Sequence, residues 1–276
     1  MRTLRLPGGE SVPVLGQGTW GMGEDPGSRS GEIAALRRGL ELGLSLIDTA
    51  EMYAEGGAEK VIASAISGRR DEVFLISKVY PHNASAQGTV AACERSLKRL
   101  GTDRIDLYLL HWRGAHPLAE TVAAFEQLQR TGKIRHWGVS NLDAEDMVEL
   151  AGVPGGDACA TNQVLYNPGR RGPEWDLLPW CRERGIPAMA YSPLEQGRLA
   201  GSSVLKSLAR EHGCGPLQIA LAWVLAQKVL AIPKASQVGH VEANAAALGF
   251  ELSAQELAAI DREFPPPAGP VPLAML

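Results

Sequence analysis

Short apolar runs alternate with amphipathic stretches along almost the whole chain. The apolar runs are LSLID (44–48), VFLISK (73–78), IDLYLLH (105–111), IRHWGVS (134–140), CATNQ (159–163), PAMAY (187–191) and VLAIPK (229–234). They are short, nearly continuous in apolar residues and therefore read as strands of a parallel sheet covered on its outer face. Between them, Ile33, Leu36 and Leu40 share one helical face, as do Val90, Cys93, Leu97 and Leu100, and then Val122, Phe125 and Leu128. Gly43, Gly101 and Gly132 stop these three helices. Upstream, TLRL and SVPVL flank Pro7-Gly8-Gly9-Glu10, which predicts a hairpin.

Each strand-like run ends on a polar residue: Asp48, Lys78, His111, Ser140, Gln163, Tyr191 and Lys234. Successive ends lie 30, 33, 29, 23, 28 and 43 residues apart. A βα unit of a parallel barrel takes about 30 residues. Seven runs and one more ending near Gly18 make eight strands. The chain thus predicts a (β/α)8 TIM barrel with an N-terminal β-hairpin and extra helices near the C-terminus, one of them in the longest gap. Residues 1–276 read as a single domain, with FPPPAGPVP (264–272) as a surface loop and a tail after Phe264 too short for a long flap. The polar ends converge on one rim, where such barrels carry their active sites.

The stretch Gly16-x-Gly18-x-x-Gly21 has the spelling of a dinucleotide fingerprint. That fingerprint needs its third glycine to open a helix directly. Here Gly23, Pro26 and Gly27 intervene and the helix waits until about Ser30, so the glycines read as the first strand-to-helix loop of the barrel.

Composition narrows the function. The chain has 276 residues, is 45% hydrophobic and carries a formal charge of -4. No long Lys/Arg run suggests a nucleic-acid surface. No apolar run reaches the ~18 residues of a membrane helix, and the N-terminus lacks the apolar core of a secretory signal. The four scattered cysteines predict a reducing, cytoplasmic compartment. His82, His116, His136 and His212 show no zinc spacing, so no metal site is expected. Trp137 reads as a packing residue.

Asp48, Tyr53, Lys78 and His111 share the rim. Lys78 and His111 end apolar strands, where an unpaired charge is costly. Asp48, on the neighbouring strand, is the natural partner for Lys78. Free tyrosine ionises near pH 10. A nearby ammonium favours the tyrosinate and is expected to lower that value. Tyr53 then reads as a general acid, with His111 hydrogen-bonding a substrate oxygen. Such a site reduces a carbonyl once a nicotinamide or flavin delivers hydride. Trp20 and Trp112 flank the rim and would wall an apolar substrate pocket with Tyr53 and His111. A different reading makes Lys78 a Schiff-base amine in a hydrolase or lyase.

The chain resembles the aldo-keto reductases over essentially its whole length, through GQGTW, LIDTAEMY, GAE, LISK, RIDLYLLHW, GKIRHWGVSN, NQVLYNP, AYSPL and IPKAS in order. The resemblance implies a (β/α)8 fold and NADPH-dependent carbonyl reduction, with Asp48, Tyr53, Lys78 and His111 as the catalytic tetrad. It implies that Ser140, Asn141 and Gln163 hold the nicotinamide carboxamide, that Tyr191 stacks on its ring, and that Gly18, Thr19, Trp20, Asp48 and Ser192 also meet the cofactor. At the adenine end Lys234 and Ser236 would reach a 2′-phosphate. There the family pattern is broken: Ala235 stands for Ser, His240 for Arg and Ala243 for Glu, while Asn244 matches. NADPH is the expected cofactor, with NADH use possible because a planar arginine is lost. The compact loops resemble the bacterial branch that reduces methylglyoxal and related aldehydes. A small 2-oxoaldehyde or an aromatic aldehyde is therefore the expected substrate, acted on by a monomer or weak oligomer. The alternative is a cofactor-binding regulatory subunit with slow turnover.

Overall fold

The computed structural model describes residues 2–276. A hairpin comes first, β1 (Thr3–Arg5) against β2 (Ser11–Pro13). Eight parallel strands follow: β3 (Gln17–Gly18), β4 (Leu46–Asp48), β5 (Phe74–Val79), β6 (Ile105–Leu110), β7 (Ile134–Ser140), β8 (Asn162–Leu165), β9 (Ala188–Tyr191) and β10 (Leu230–Ala231). They pair in chain order, and bridges Leu15–Ala231 and Gly18–Lys234 join the first strand to the last. The sheet is a (β/α)8 barrel, as the spacing of polar ends predicts.

Helices α1 (Arg29–Glu41), α2 (Gly57–Ala65), α3 (Ala86–Leu100), α4 (Leu118–Arg130), α5 (Ala144–Gly152) and α6 (Leu177–Glu183) cover the strands. The long gap before β10 holds two helices, α7 (Ser203–Glu211) and α8 (Pro216–Ala226). Helices α9 (Val238–Ala246) and α10 (Ala254–Glu263) end the regular structure, and 265–276 runs on without helix or strand.

The interior core contains Leu46, Phe74, Ile76, Leu107, Leu109, Met189, Leu230 and Ile232. Leu6 and Val12 of the hairpin join it and plug the floor of the barrel. Strand side chains alternate between faces with period two. Leu46, Ile76, Leu109, Met189 and Ile232 point inward, so Asp48, Lys78, His111, Tyr191 and Lys234, two residues on, form the next layer toward the mouth. That alternation is why the polar ends meet.

The glycines of GQGTW serve this closure. A Cβ on Gly16 would collide with Leu46, and one on Gly18 would sit 2.7 Å from the Ile232 carbonyl oxygen. The first strand needs glycine because its neighbours approach so closely. Helix α1 begins at Arg29, well past Gly21. Strand β8 starts at Asn162, later than CATNQ suggests, and only Leu230–Ala231 of VLAIPK pairs as a strand.

Candidate active site

Asp48 ends β4 and Lys78 lies near the end of β5; both are buried, at 2% and 0% exposure. Lys78 Nζ donates to Asp48 Oδ2 at 2.8 Å, to the Thr49 carbonyl at 2.9 Å and to Tyr53 Oη at 3.3 Å. The ammonium therefore has three acceptors, enough for its three protons. Burial by itself would lower the Lys78 pKa, but Asp48 and Tyr53 outweigh it and hold it above its ordinary value. An amine kept protonated in this way does not suit Schiff-base chemistry.

Tyr53 opens a tight turn in which Ala54 and Glu55 are left-handed (φ 49° and 51°) and Gly56 has φ 84°. Arg99 packs against Gly56 and donates to the fully buried Glu59 at 2.5 Å; Ser77, next to Lys78, donates to the other Glu59 oxygen at 2.8 Å. The turn that carries Tyr53 is thus fastened to the strand that carries Lys78. The Tyr53 pKa is displaced upward, opposite to the direction expected from the neighbouring ammonium alone. Burial raises it, Lys78 lowers it, Asp48 raises it again, and the net value lies above 10.0. The phenol holds its proton, and the ammonium limits how tightly.

His111 follows β6, and its ring lies edge-on to Tyr53 with centroids 5.7 Å apart. Burial, then the Lys78 charge, lowers its pKa to about 2. It is a neutral imidazole, and its buried Nδ1 has no hydrogen-bond partner among the described residues.

The residues expected at the nicotinamide form one connected cluster beside these groups. Ser140 Oγ donates to the Gln163 carbonyl at 2.8 Å. Asn141, left-handed at φ 58°, donates to the His111 carbonyl at 3.2 Å and accepts from Tyr191 Oη at 3.1 Å. Gln163 Nε2 reaches Asp48 Oδ1 at 2.8 Å. Ser192 follows with φ 45°. Non-glycine residues in this region of backbone space cost free energy and gather at functional sites.

Thr19 is fully buried, and its hydroxyl donates to the Asp48 carbonyl at 2.9 Å, tying the first strand-to-helix loop to the end of β4. Trp20 is exposed, and Trp112 packs on His111 and Tyr80, with centroids 4.9 Å and 5.0 Å away. At the far end Lys234 is exposed and lies 3.5 Å from Ser236 Oγ, with no carboxylate partner among the described residues. His240 is exposed on α9, while Asn244 sits on that helix's buried face.

The aldo/keto reductase family pattern matches residues 14–263. The chain belongs to the aldo/keto reductase family. Among its relatives, methylglyoxal reductase YeaE of Escherichia coli (strain K12) is 56% identical over 281 residues, covering 100% of this chain and 99% of that protein. Glyoxal reductase of Bacillus subtilis (strain 168) is 34% identical over 264 residues, covering 94% and 91%. A crystal structure of an aldo/keto reductase from Klebsiella pneumoniae in complex with NADP and acetate superposes with a TM-score of 0.97 at 53% identity, covering 99% of each chain. A second structure from that organism, in complex with NADPH, has the same TM-score and identity. As an aldo/keto reductase, the chain is an oxidoreductase.

Two parts of this aldo/keto reductase site escaped the sequence reading. Glu51 accepts from the Tyr80 backbone at 2.8 Å and from Asn83 at 2.9 Å, fixing the loop that backs Trp112. Its place in LIDTAEMY, two residues before Tyr53, was the available signal. Asn167 donates to the Ser192 carbonyl at 2.9 Å and to Glu195 at 2.7 Å, and Glu195 also accepts from Arg170 and Arg198. This knot braces the backbone after Tyr191, and nothing in NQVLYNP alone announces it.

Proposed function

We propose that this protein reduces small aldehydes with NADPH, 2-oxoaldehydes such as methylglyoxal in particular. The observation that carries the reading is the buried Asp48–Lys78–Tyr53 chain at 2.8 and 3.3 Å, beside a neutral His111. Tyr53 protonates the carbonyl oxygen as negative charge grows there. Lys78 stabilises the phenolate left behind, and Asp48 keeps Lys78 in place. His111 orients the oxygen by a hydrogen bond from an uncharged ring. Trp20, Trp112 and Tyr80 wall the approach.

The polar groups present suit a nicotinamide dinucleotide. Ser140, Asn141 and Gln163 offer hydroxyl and amide groups matched to a carboxamide, and Tyr191 offers a ring face. Gly18, Trp20 and Ser192 border that end. Lys234, exposed and without a carboxylate partner among the described residues, is a free cation for a 2′-phosphate, with Ser236, His240 and Asn244 around it. NADPH would supply the hydride to the carbonyl carbon. The names of the relatives support the substrate class, and the complexes of the Klebsiella structures support the cofactor.

We read residues 1–276 as one catalytic domain acting as a monomer or weak oligomer. No helix among the described residues is long and apolar enough to cross a membrane, and the free cysteines suit a reducing cytoplasm.

The test is loss of nicotinamide absorbance when purified protein, NADPH and methylglyoxal are mixed. Turnover is expected with NADPH. Cofactor binding with no turnover on a panel of small aldehydes would favour the regulatory-subunit reading. Lys234→Glu should weaken NADPH binding about 10- to 100-fold, the range of one charge-assisted contact, and leave NADH binding unchanged in a fluorescence titration.

A further inference from the structure

Gln163 makes a contact that its expected place at the carboxamide does not require. In the sheet order β8 lies four strands from β4, on the opposite wall of the barrel. The Gln163 side chain crosses that interior to donate from Nε2 to Asp48 Oδ1 at 2.8 Å. Chemistry fixes the orientation of the amide: a carboxylate only accepts, so the NH2 group faces Asp48. The same NH2 group lies 3.0 Å from Met189 Sδ. The Gln163 backbone is pinned as well, its carbonyl accepting from Ser140 Oγ at 2.8 Å and from the Asn141 N–H at 2.9 Å.

The two oxygens of Asp48 are thus divided. Oδ2 takes Lys78, and Oδ1 takes Gln163. Both residues are almost fully buried, so no water stands ready to replace a lost donor. We propose that Gln163 is a positioning residue for the reaction: its amide, reaching across the barrel, fixes the Asp48 carboxylate that braces Lys78 behind Tyr53. This rests on the reductase reading above. Nε2 serves Asp48, and Oε1 is left for the N–H of a carboxamide. One side chain then ties the seat of the nicotinamide to the acid–base chain, so that a cofactor pulling on Gln163 also bears on Asp48.

Gln163→Met keeps the bulk and removes both the donor to Asp48 and the Oε1 acceptor. At saturating NADPH its kcat should fall about 10- to 100-fold, the range for a hydrogen bond to a buried charge. In an Asp48→Ala background the same substitution should cost at least about tenfold less in kcat, because the group it acts through is gone. Urea unfolding of the cofactor-free proteins gives a second cycle without catalysis. There the two substitutions should be non-additive by about tenfold in the folding equilibrium constant. Gln163→Glu supplies an independent variant. Next to Asp48, Lys78 and Tyr53 it faces a carboxylate with a carboxylate, and its activity relative to the parent should rise as pH falls and the new acid regains a donor.

A weaker NADPH Kd with unchanged kcat in Gln163→Met would overturn the proposal, since the amide would then serve the cofactor alone. Equal losses with and without Asp48, additive urea midpoints, or a pH-independent activity ratio for Gln163→Glu would also overturn it. If the parent protein reduces no aldehyde, the reductase reading fails, and the urea cycle still decides whether Gln163 and Asp48 are coupled.

Discussion

Asp48 at the mouth of the barrel and Asp106 at its floor are the same residue in two settings. Each is almost fully buried, at 2% and 1% exposure. Asp106 accepts from Arg70 at 2.8 Å, from Arg135 at 3.1 Å and from the Leu75 N–H at 2.8 Å. Arg135 continues to Glu10 of the hairpin at 2.8 Å, so the floor network clasps the plug to the barrel. Asp48 accepts from one lysine and one amide, and the lysine goes on to a phenol. Arginine is permanently charged and presents a rigid fork, whereas lysine is a point charge whose proton balance responds to its neighbours. A buried carboxylate is therefore no mark of catalysis. What marks it is a partner that passes the charge to a group able to give up a proton.

The largest effect that would sharpen this contrast is at the end of the upper chain. Tyr53→Phe should reduce single-turnover rates about 10²- to 10⁴-fold, the usual contribution of a general acid, with cofactor affinity retained in a fluorescence titration. A near-parental rate would erase the distinction between the two aspartates. At the floor, Asp106→Ala should destabilise the fold by about 3 kcal/mol, measured by urea unfolding, with kcat per folded molecule unchanged. Lys78→Arg makes the mouth resemble the floor. It keeps the charge and should still cost about 10- to 100-fold in kcat, because a planar fork cannot contact the carboxylate, the Thr49 carbonyl and the phenol from one point.

A smaller effect concerns acid. His111 has a folded pKa of about 2 against an ordinary 6.5, set by burial and then by Lys78. Between those values the unfolded chain binds a proton that the folded chain refuses, so stability must fall as pH drops below about 6.5. His111→Gln should flatten the pH dependence of the urea midpoint between about pH 6.5 and 4. An unchanged slope would place the acid sensitivity elsewhere.

Much of the mouth was legible in the sequence because it depends on local periodicity. Alternation along each strand carries Asp48, Lys78, His111 and Tyr191 inward one step above an apolar residue, and the spacing of strand ends brings them to one rim. The gap before β10 was long enough to foretell α7 and α8. The expected Tyr53 shift failed for a physical reason: residue types reveal a neighbouring charge, but not how completely a hydroxyl is desolvated. The contacts of Glu51 with Asn83, and of Asn167 with Glu195, escaped notice because they join loops whose paths depend on the finished fold. Gln163 and Asp48 lie 115 positions apart in the chain and meet only because the sheet closes.

The left-handed turn after Tyr53 has an evolutionary consequence. Ala54 and Glu55 occupy backbone conformations that glycine adopts without steric penalty, at roughly 1 kcal/mol less per residue. Selection for heat resistance alone would find easy gains there. The same changes would grant the phenol freedom to wander. Variants hardened at these two positions are thus the ones in which durability and speed should part company, and libraries built for industrial use would do well to hold them constant.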